Sequence, residues 1–221
     1  MRLGFTGQAG SGKDTAAQMA QAIMPSHPIY SLAGPIKDVF DKAFKWDERH
    51  RDGELKEVRL DRFMINPLDL VIHASRQYNV HPKVATKAVE LFLDVIQMHN
   101  VHVTVYNGVT VAIENLSPRI AYQVWGTEVW RKIGGDTFWM DIAPDDCIIP
   151  DIRFDNEASI CDVLFEIQGK NHRTGSKVNQ HASEAGISEE LIDLTVHNTG
   201  TLVELQEKVV DALYCYGVQD E

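Results

Sequence analysis

The stretch Arg2-Leu-Gly-Phe-Thr-Gly-Gln-Ala-Gly-Ser-Gly-Lys-Asp-Thr15 decides how this chain is read. Leu3 to Thr6 is a short, mostly apolar run of strand character. It leads into Gly7-x-x-x-x-Gly12-Lys13, and beyond the lysine Ala16, Ala20 and Ile23 recur on one helical face. Strand, glycine-rich loop and helix in this order make a phosphate cradle. Gly7, Gly10 and Gly12 let backbone N–H groups converge on phosphate oxygens, with Ser11 between them, and the positive end of the next helix points at the same spot. Lys13 supplies a mobile ammonium for the terminal phosphates of a nucleotide. The competing reading is an ordinary turn before a helix. Position 14 is Asp where a hydroxyl usually ligates Mg²⁺, so either Asp14 holds the ion, directly or through water, or Thr15 supplies the hydroxyl.

The totals narrow the class. With 221 residues the chain can bury one good core with a smaller subdomain, and it needs no disulfides to do so. A formal charge of −11 argues against a nucleic-acid polymer as principal ligand, but not against a small nucleotide, for which a local cluster of cations suffices. Cys147, Cys161 and Cys215 have no metal-binding spacing and read as reduced core thiols, which with the lack of a signal peptide points to the cytoplasm. No apolar run approaches the length of a membrane span. His99 and His102 read as a helix end rather than a zinc site.

Along the chain, Ile29 to Ala33 reads as a second strand, and Gly34-Pro35 opens a helix with an Ile36, Val39, Phe40, Phe44 stripe. Lys37 lies in its first turn, where a cation opposes the helix dipole; it either answers to an external anion or is an ordinary solvated lysine. Trp46 to Arg62 is charged and aperiodic, as expected of a surface excursion. Residues 83–98 are helical by spacing, and alternating valines around Asn107-Gly108 give a hairpin. Residues 47–116 thus form an expected helix-plus-hairpin insertion, a substrate cover or a subunit interface, between core segments 1–46 and 117–221. A homodimer is one arrangement this allows.

Ser117-Pro118 caps a helix over Arg119 to Ile133, in which Gly126 signals a close backbone approach. Cys147 to Pro150 is an apolar strand run ending in Asp151-Ile152-Arg153. An acid at the carboxyl end of a buried strand suits a magnesium ion, and Arg153 on the same rim suits a phosphate; the alternative is a capping aspartate and a structural ion pair. Val163 to Gln168 is another strand. Residues 169–186 then lose periodicity and hold Lys170, Arg173 and Lys177 with no acid before Glu184, a candidate cationic lid or else a solvated loop. Leu194 to His197 is the last strand, and Asn198-Thr199-Gly200 turns into a final helix. Five strands separated by helices imply an α/β fold with a parallel sheet and ligands at its carboxyl edge.

Taken together, these blocks resemble the deoxynucleoside monophosphate kinases of tailed bacteriophages, within the P-loop nucleoside monophosphate kinase group. The resemblance rests on Ser11-Gly12-Lys13-Asp14-Thr15, Leu32-Ala33-Gly34-Pro35-Ile36-Lys37-Asp38, Gln123 with Gly126-Thr127-Glu128, Trp139, Asp151-x-Arg153-x-x-Asn156-Glu157 and His181-x-Ser183-Glu184-Ala185-Gly186. Asp14 fits that family's usual Gly-Lys-Asp-Thr. The resemblance implies a P-loop NTPase three-layer fold with a five-stranded sheet, and transfer of the γ-phosphoryl of ATP, as its Mg²⁺ complex, to a deoxynucleoside 5′-monophosphate. It further implies that Lys13 stabilises the transferring group while Lys37, Arg131 and Arg153 take the acceptor phosphate. Gln123, Thr127 and Trp139 would then belong to the acceptor site, Asp14 and Asp151 to the metal, and Asn198 to Gly200 to the ATP base. Arg173 stands later than the arginine expected at the start of the lid. Rival readings are another small-molecule P-loop kinase, of the dephospho-coenzyme A or phosphomevalonate type, and a non-catalytic nucleotide-binding module. A phage-encoded enzyme would act in the host cytoplasm.

Overall fold

The computed structural model describes residues 1–8, 10–169 and 187–217. In chain order the elements are β1 (Arg2–Thr6), α1 (Lys13–Ile23), α2 (Gly34–Phe44), α3 (Glu48–Arg51), β2 (Leu60–Ile65), α4 (Pro67–Gln77), α5 (Pro82–Val95), β3 (His102–Tyr106) and β4 (Thr110–Leu116). They continue with α6 (Pro118–Gln123), a π-helical segment Val124–Trp130, α7 (Arg131–Gly134), α8 (Phe138–Asp141), β5 (Cys147–Ile149), α9 (Asp155–Ala158), β6 (Val163–Gly169), β7 (Leu194–Asn198) and α10 (Leu202–Cys215). Two compact units divide the chain: Met1–Leu32 with Trp139–Glu221, and Ala33–Phe138.

The first unit is built on a parallel sheet of four strands among the described residues, in the order β5-β1-β6-β7. Both faces of β1 are buried, as a central parallel strand requires. Leu3 and Phe5 join Phe165, Ile167 and Val196 in a core that α1 closes with Ala16, Ala17 and Ala20, and α10 with Leu205, Val209 and Leu213. The small alanines let α1 lie close to the sheet, and Phe5 meets Phe165 edge to face at 5.8 Å. No helix among the described residues is long and apolar enough to cross a membrane.

The fifth strand expected over Ile29–Ala33 is reduced to a single parallel bridge between Ile29 and Ile148. Pro28 has no N–H to offer a ladder; its carbonyl accepts from Ile148 N, and Tyr30 N donates to Ile148 O at 2.8 Å. Pairing stops there because Ser31 Oγ and Leu32 N turn to the Asp151 carboxylate instead, at 2.8 and 3.0 Å. The cysteines also depart from expectation. Cys147 is buried, but Cys161 is only partly so and Cys215, at the end of α10, is exposed. Burial pushes the Cys161 thiol up to about 12, which keeps it protonated.

The second unit packs helices and a three-stranded antiparallel sheet, β2-β4-β3, around aromatic rings. The hairpin turns at Asn107-Gly108, both at positive φ (51° and 66°), as a tight two-residue loop demands. Leu60–Ile65, inside the stretch expected to be an aperiodic excursion and just beyond it, is a strand whose Asp61 and Arg62 face water. Phe40 is fully buried and contacts five other rings, stacking on Trp46 at 5.6 Å and meeting Phe92 at 5.5 Å and Trp125 at 5.6 Å. Trp125 Nε1 donates to the Tyr78 hydroxyl (2.9 Å), which itself donates to Pro35 O.

The helix expected over 119–133 is present, but its middle is wound as a π-helix. The i to i+5 repeat of that winding brings Trp125 and Trp130 to the same side, ring centroids 5.8 Å apart and both fully buried. At Gly126 the close approach comes from Ile36, whose Cδ1 would lie 2.8 Å from an added Cβ. Phe40→Ala is expected to cost about 3–5 kcal/mol by opening a cavity among these rings, measurable as a lowered urea midpoint followed by tryptophan fluorescence.

Candidate active site

The carboxyl edge of the parallel sheet collects the chemistry of the first unit. The loop after β1 turns through Gly7, Gly10 and Gly12 at φ values of 142°, 76° and 98°. Gly12 is the N-cap of α1 in the left-handed region, and no side chain caps the helix. Among the described residues its first N–H groups have no side-chain acceptor, and the helix dipole there favours negative charge. A Cβ at 12 would also stand 2.5 Å from Asn198 Nδ2, so that amide would have to move. Ser11 is buried, and its hydroxyl has no hydrogen-bond partner among the described residues. Lys13 is half-exposed and forms no ion pair among the described residues. Asp14 is exposed and Thr15 half-buried, so both stay open as contributors to a metal site.

The neighbouring strand ends fix this loop. Gly4 pairs with Ile149 in register, and Ile152 N donates to Phe5 O, which brings Asp151 to the same edge two residues on. Asp151 is part-buried, and each of its oxygens accepts one hydrogen bond from the Ser31-Leu32 turn. On the other side Gly169 pairs with Asn198, and Asn198 Nδ2 donates to Ser11 O at 2.8 Å. The Asn198 amide thus clamps the glycine loop. Thr199 and Gly200 are exposed behind it, and Thr201 caps α10 in a capping box with Glu204.

Arg153 is exposed with no ion pair among the described residues, while its backbone N–H and that of Phe154 donate to the buried Glu157 carboxylate at 2.9 and 3.2 Å. Sequence reasoning had no role for Glu157, which fixes the turn that presents Arg153. It also missed Glu166, opposite Thr6 in the ladder and accepting from Gln168 Nε2 (2.7 Å) and Thr195 Oγ1 (3.2 Å). The signal was present: one acid inside the apolar run of β6. Asp155 accepts from Ser188 N and Oγ at 2.9 and 2.6 Å, and these bonds lower its pKa. A depressed carboxyl contributes stability that is complete above its ordinary pKa and is lost as pH falls through the folded value. Lys170, Arg173 and Lys177, with the rest of the 170–186 part of the expected lid, lie outside the described residues.

A metal ion has limited protein ligands here. No group of three or more His, Cys, Asp or Glu among the described residues could hold one. Asp14 and Asp151 therefore fit only an ion that takes most of its ligands from phosphate and water, which is the habit of Mg²⁺. Trp139 belongs to this first unit and is buried.

The remaining expected residues belong to the second unit. Gln123 and Thr127 are exposed on α6 and the π segment, and Arg131, at the same spacing of four, is half-buried at the start of α7. Lys37 is paired: its Nζ donates to both oxygens of Asp52, at 2.7 and 2.6 Å. Arg51 bridges Asp38 and Asp41 at 2.8 and 2.7 Å nearby in sequence.

A parallel α/β sheet with a helix that has no side-chain cap, and a lysine without an ion pair, among the described residues, behind a left-handed glycine loop, suits an anion and is compatible with a P-loop kinase-like fold. Residues 3–209 match the family model of deoxynucleotide monophosphate kinase, and the chain belongs to that family. It is therefore a kinase, a phosphotransferase. It is similar to the deoxynucleotide monophosphate kinase of Enterobacteria phage T4, 27% identical over 242 residues that cover 96% of this chain and 99% of the relative.

Gly12→Ala is expected to displace Asn198 and the loop together, with ATP affinity falling about tenfold or more because the strained backbone position admits a side chain poorly. Isothermal titration of ATP into the variant reads this directly.

Proposed function

We propose that the chain transfers the γ-phosphoryl of ATP to the 5′-phosphate of deoxynucleoside monophosphates, giving the diphosphates. The observation that carries this reading is the uncapped N-terminus of α1 behind Gly10 and Gly12, with Lys13 unpaired beside it among the described residues. In this role the loop N–H groups bind the β- and γ-phosphates of ATP. Lys13 then offsets charge on the group in transit. Asn198 keeps the loop in shape through the Ser11 carbonyl, and we assign Thr199 and Gly200 beside it to the ATP base. Asp14 and Asp151 are the carboxylates that would hold a magnesium ion, directly or through water, and the ion would supply charge neutralisation for the phosphates.

On the acceptor side we assign Lys37, Arg131 and Arg153 to the monophosphate, Gln123 and Thr127 to its base or sugar, and Trp139 to the shaping of that site. Arg173 is the lid cation of this reading. The segment 47–116 is assigned as an insertion on the kinase core. Little covalent chemistry falls to the protein, because the phosphoryl group passes between two bound anions and the work is alignment and charge compensation.

Lys13→Ala is expected to keep the fold, since the side chain is half-exposed, and to lower kcat by at least about 10²–10³-fold. A coupled assay with ATP, Mg²⁺ and a panel of ribo- and deoxyribonucleoside monophosphates tests both claims. Near-normal turnover in the variant removes Lys13 from the reaction, and transfer to none of the monophosphates removes the proposed activity.

A further inference from the structure

Asp52 is held by two lysines at once. Lys37 Nζ donates to Oδ1 and Oδ2 at 2.7 and 2.6 Å, and Lys56 Nζ donates to Oδ1 at 2.7 Å. One carboxylate cannot neutralise two ammonium ions, so the trio keeps a net positive charge. A phosphate monoester, with close to two negative charges at neutral pH, matches the two lysines where a carboxylate does not.

The surroundings favour an anion on separate grounds. Lys37 lies in the first turn of α2, an eleven-residue helix with no side-chain cap. Its dipole opposes the lysine and attracts negative charge to the same turn. The lysines are the more buried members of the trio and the carboxylate is the more exposed one. The side chains of Lys37 and Lys56 are 16% and 27% exposed, against 44% for Asp52. Lys56 is anchored through its carbonyl, which accepts from Arg119 N at 2.9 Å. Asp52 can swing away without breaking its backbone bond to Glu48 O. Partial burial raises the Asp52 pKa, but hydrogen bonds from Lys37 and Lys56 outweigh this and the net shift is downward, so the acid is an anion at neutral pH.

We propose that Lys37 and Lys56 form a two-lysine phosphate site in which the Asp52 carboxylate is an internal stand-in for the acceptor phosphate, so that Asp52 sets acceptor affinity by competing for the site. This rests on the assignment of Lys37 to the acceptor monophosphate and adds two residues to it: Lys56 as a second cation, and Asp52 as a residue that binds nothing of the substrate and governs how tightly it binds. The consequence is a site that stays only partly charge-compensated until a dianion displaces the carboxylate.

The test is a set of single variants assayed with the deoxynucleoside monophosphate that turns over fastest and, separately, titrated with inorganic phosphate in the absence of nucleotide. Asp52→Asn is expected to lower the acceptor KM about two- to fivefold, the range set by the modest strength of a part-exposed ion pair, to leave the ATP KM where it was, and to tighten phosphate binding by a similar factor. Lys56→Ala is expected to raise the acceptor KM about two- to fivefold, Lys56→Arg to restore it, and Asp61→Asn, an exposed acid of β2, to change nothing. A D52N acceptor KM that rises or stays put overturns the competition, because Asp52 then orients Lys37 or has no part in binding. An unmoved KM in K56A overturns the second cation. Failure of the wild type to phosphorylate any monophosphate, with phosphate binding still tightened in D52N, would sink the kinase roles and leave the anion site standing.

Discussion

The glycine loop after β1 survives only because strand ends on both sides hold it in a conformation that few residues adopt. Gly12 sits at a φ of 98°, and the space a side chain would need there is taken by the Asn198 amide, which donates to the Ser11 carbonyl from 187 residues away in sequence. With that single clamp, a left-handed turn becomes the start of an uncapped helix, and the helix presents its free N–H groups at the carboxyl edge of the sheet. Parallel pairing then aligns the carboxyl ends of the neighbouring strands with this loop: Asp151 and Arg153 come just past β5, and Asn198 closes β7. The site is thus a by-product of strand register plus one amide hydrogen bond.

The second unit solves a different problem, which is to bury tryptophans and still expose polar residues from the same helix. A uniform α-helix would turn Trp125 and Trp130 to different sides, since five residues advance well beyond one turn of 3.6. The π segment widens the turn, so that both rings enter the aromatic core around Phe40 and Tyr78 while Gln123 and Thr127 stay in water. Such a segment gives up regular hydrogen bonding for ring packing, and the gain in buried aromatic area offsets it.

Electrostatics in the two units are arranged differently. The glycine loop keeps its lysine unpaired among the described residues, whereas Lys37 and Arg51 in the second unit are already bound by acids close in sequence. A strongly acidic chain can therefore present cations to a small anion without becoming basic overall. Neighbouring carboxylates compensate the cations that are not in use.

The sequence by itself determined the glycine loop, the hairpin at Asn107-Gly108 and the four core strands, because glycine spacing, turn chemistry and apolar runs are local signals that neighbouring residues carry whole. It also made Lys13 a candidate through the glycine spacing before it, and Asp151 through its position just past an apolar run. Only the tertiary structure decided that Ile29–Ala33 would bridge once and then bend to Asp151, since an apolar run does not reveal that its next two donors belong to a distant carboxylate. The strand Leu60–Ile65 was hidden because the exposed charges Asp61 and Arg62 fall on opposite faces and break the apolar alternation, and the π winding was hidden because a periodicity of 3.6 is assumed before the partners of Trp125 and Trp130 are known. The role of Asn198 has the same origin, since the fold and not the chain order brings its amide within 3 Å of the Ser11 carbonyl. Glu157 and Asp52 instead act on partners close in sequence, whose bonds depend on local turn geometry that apolar periodicity does not report.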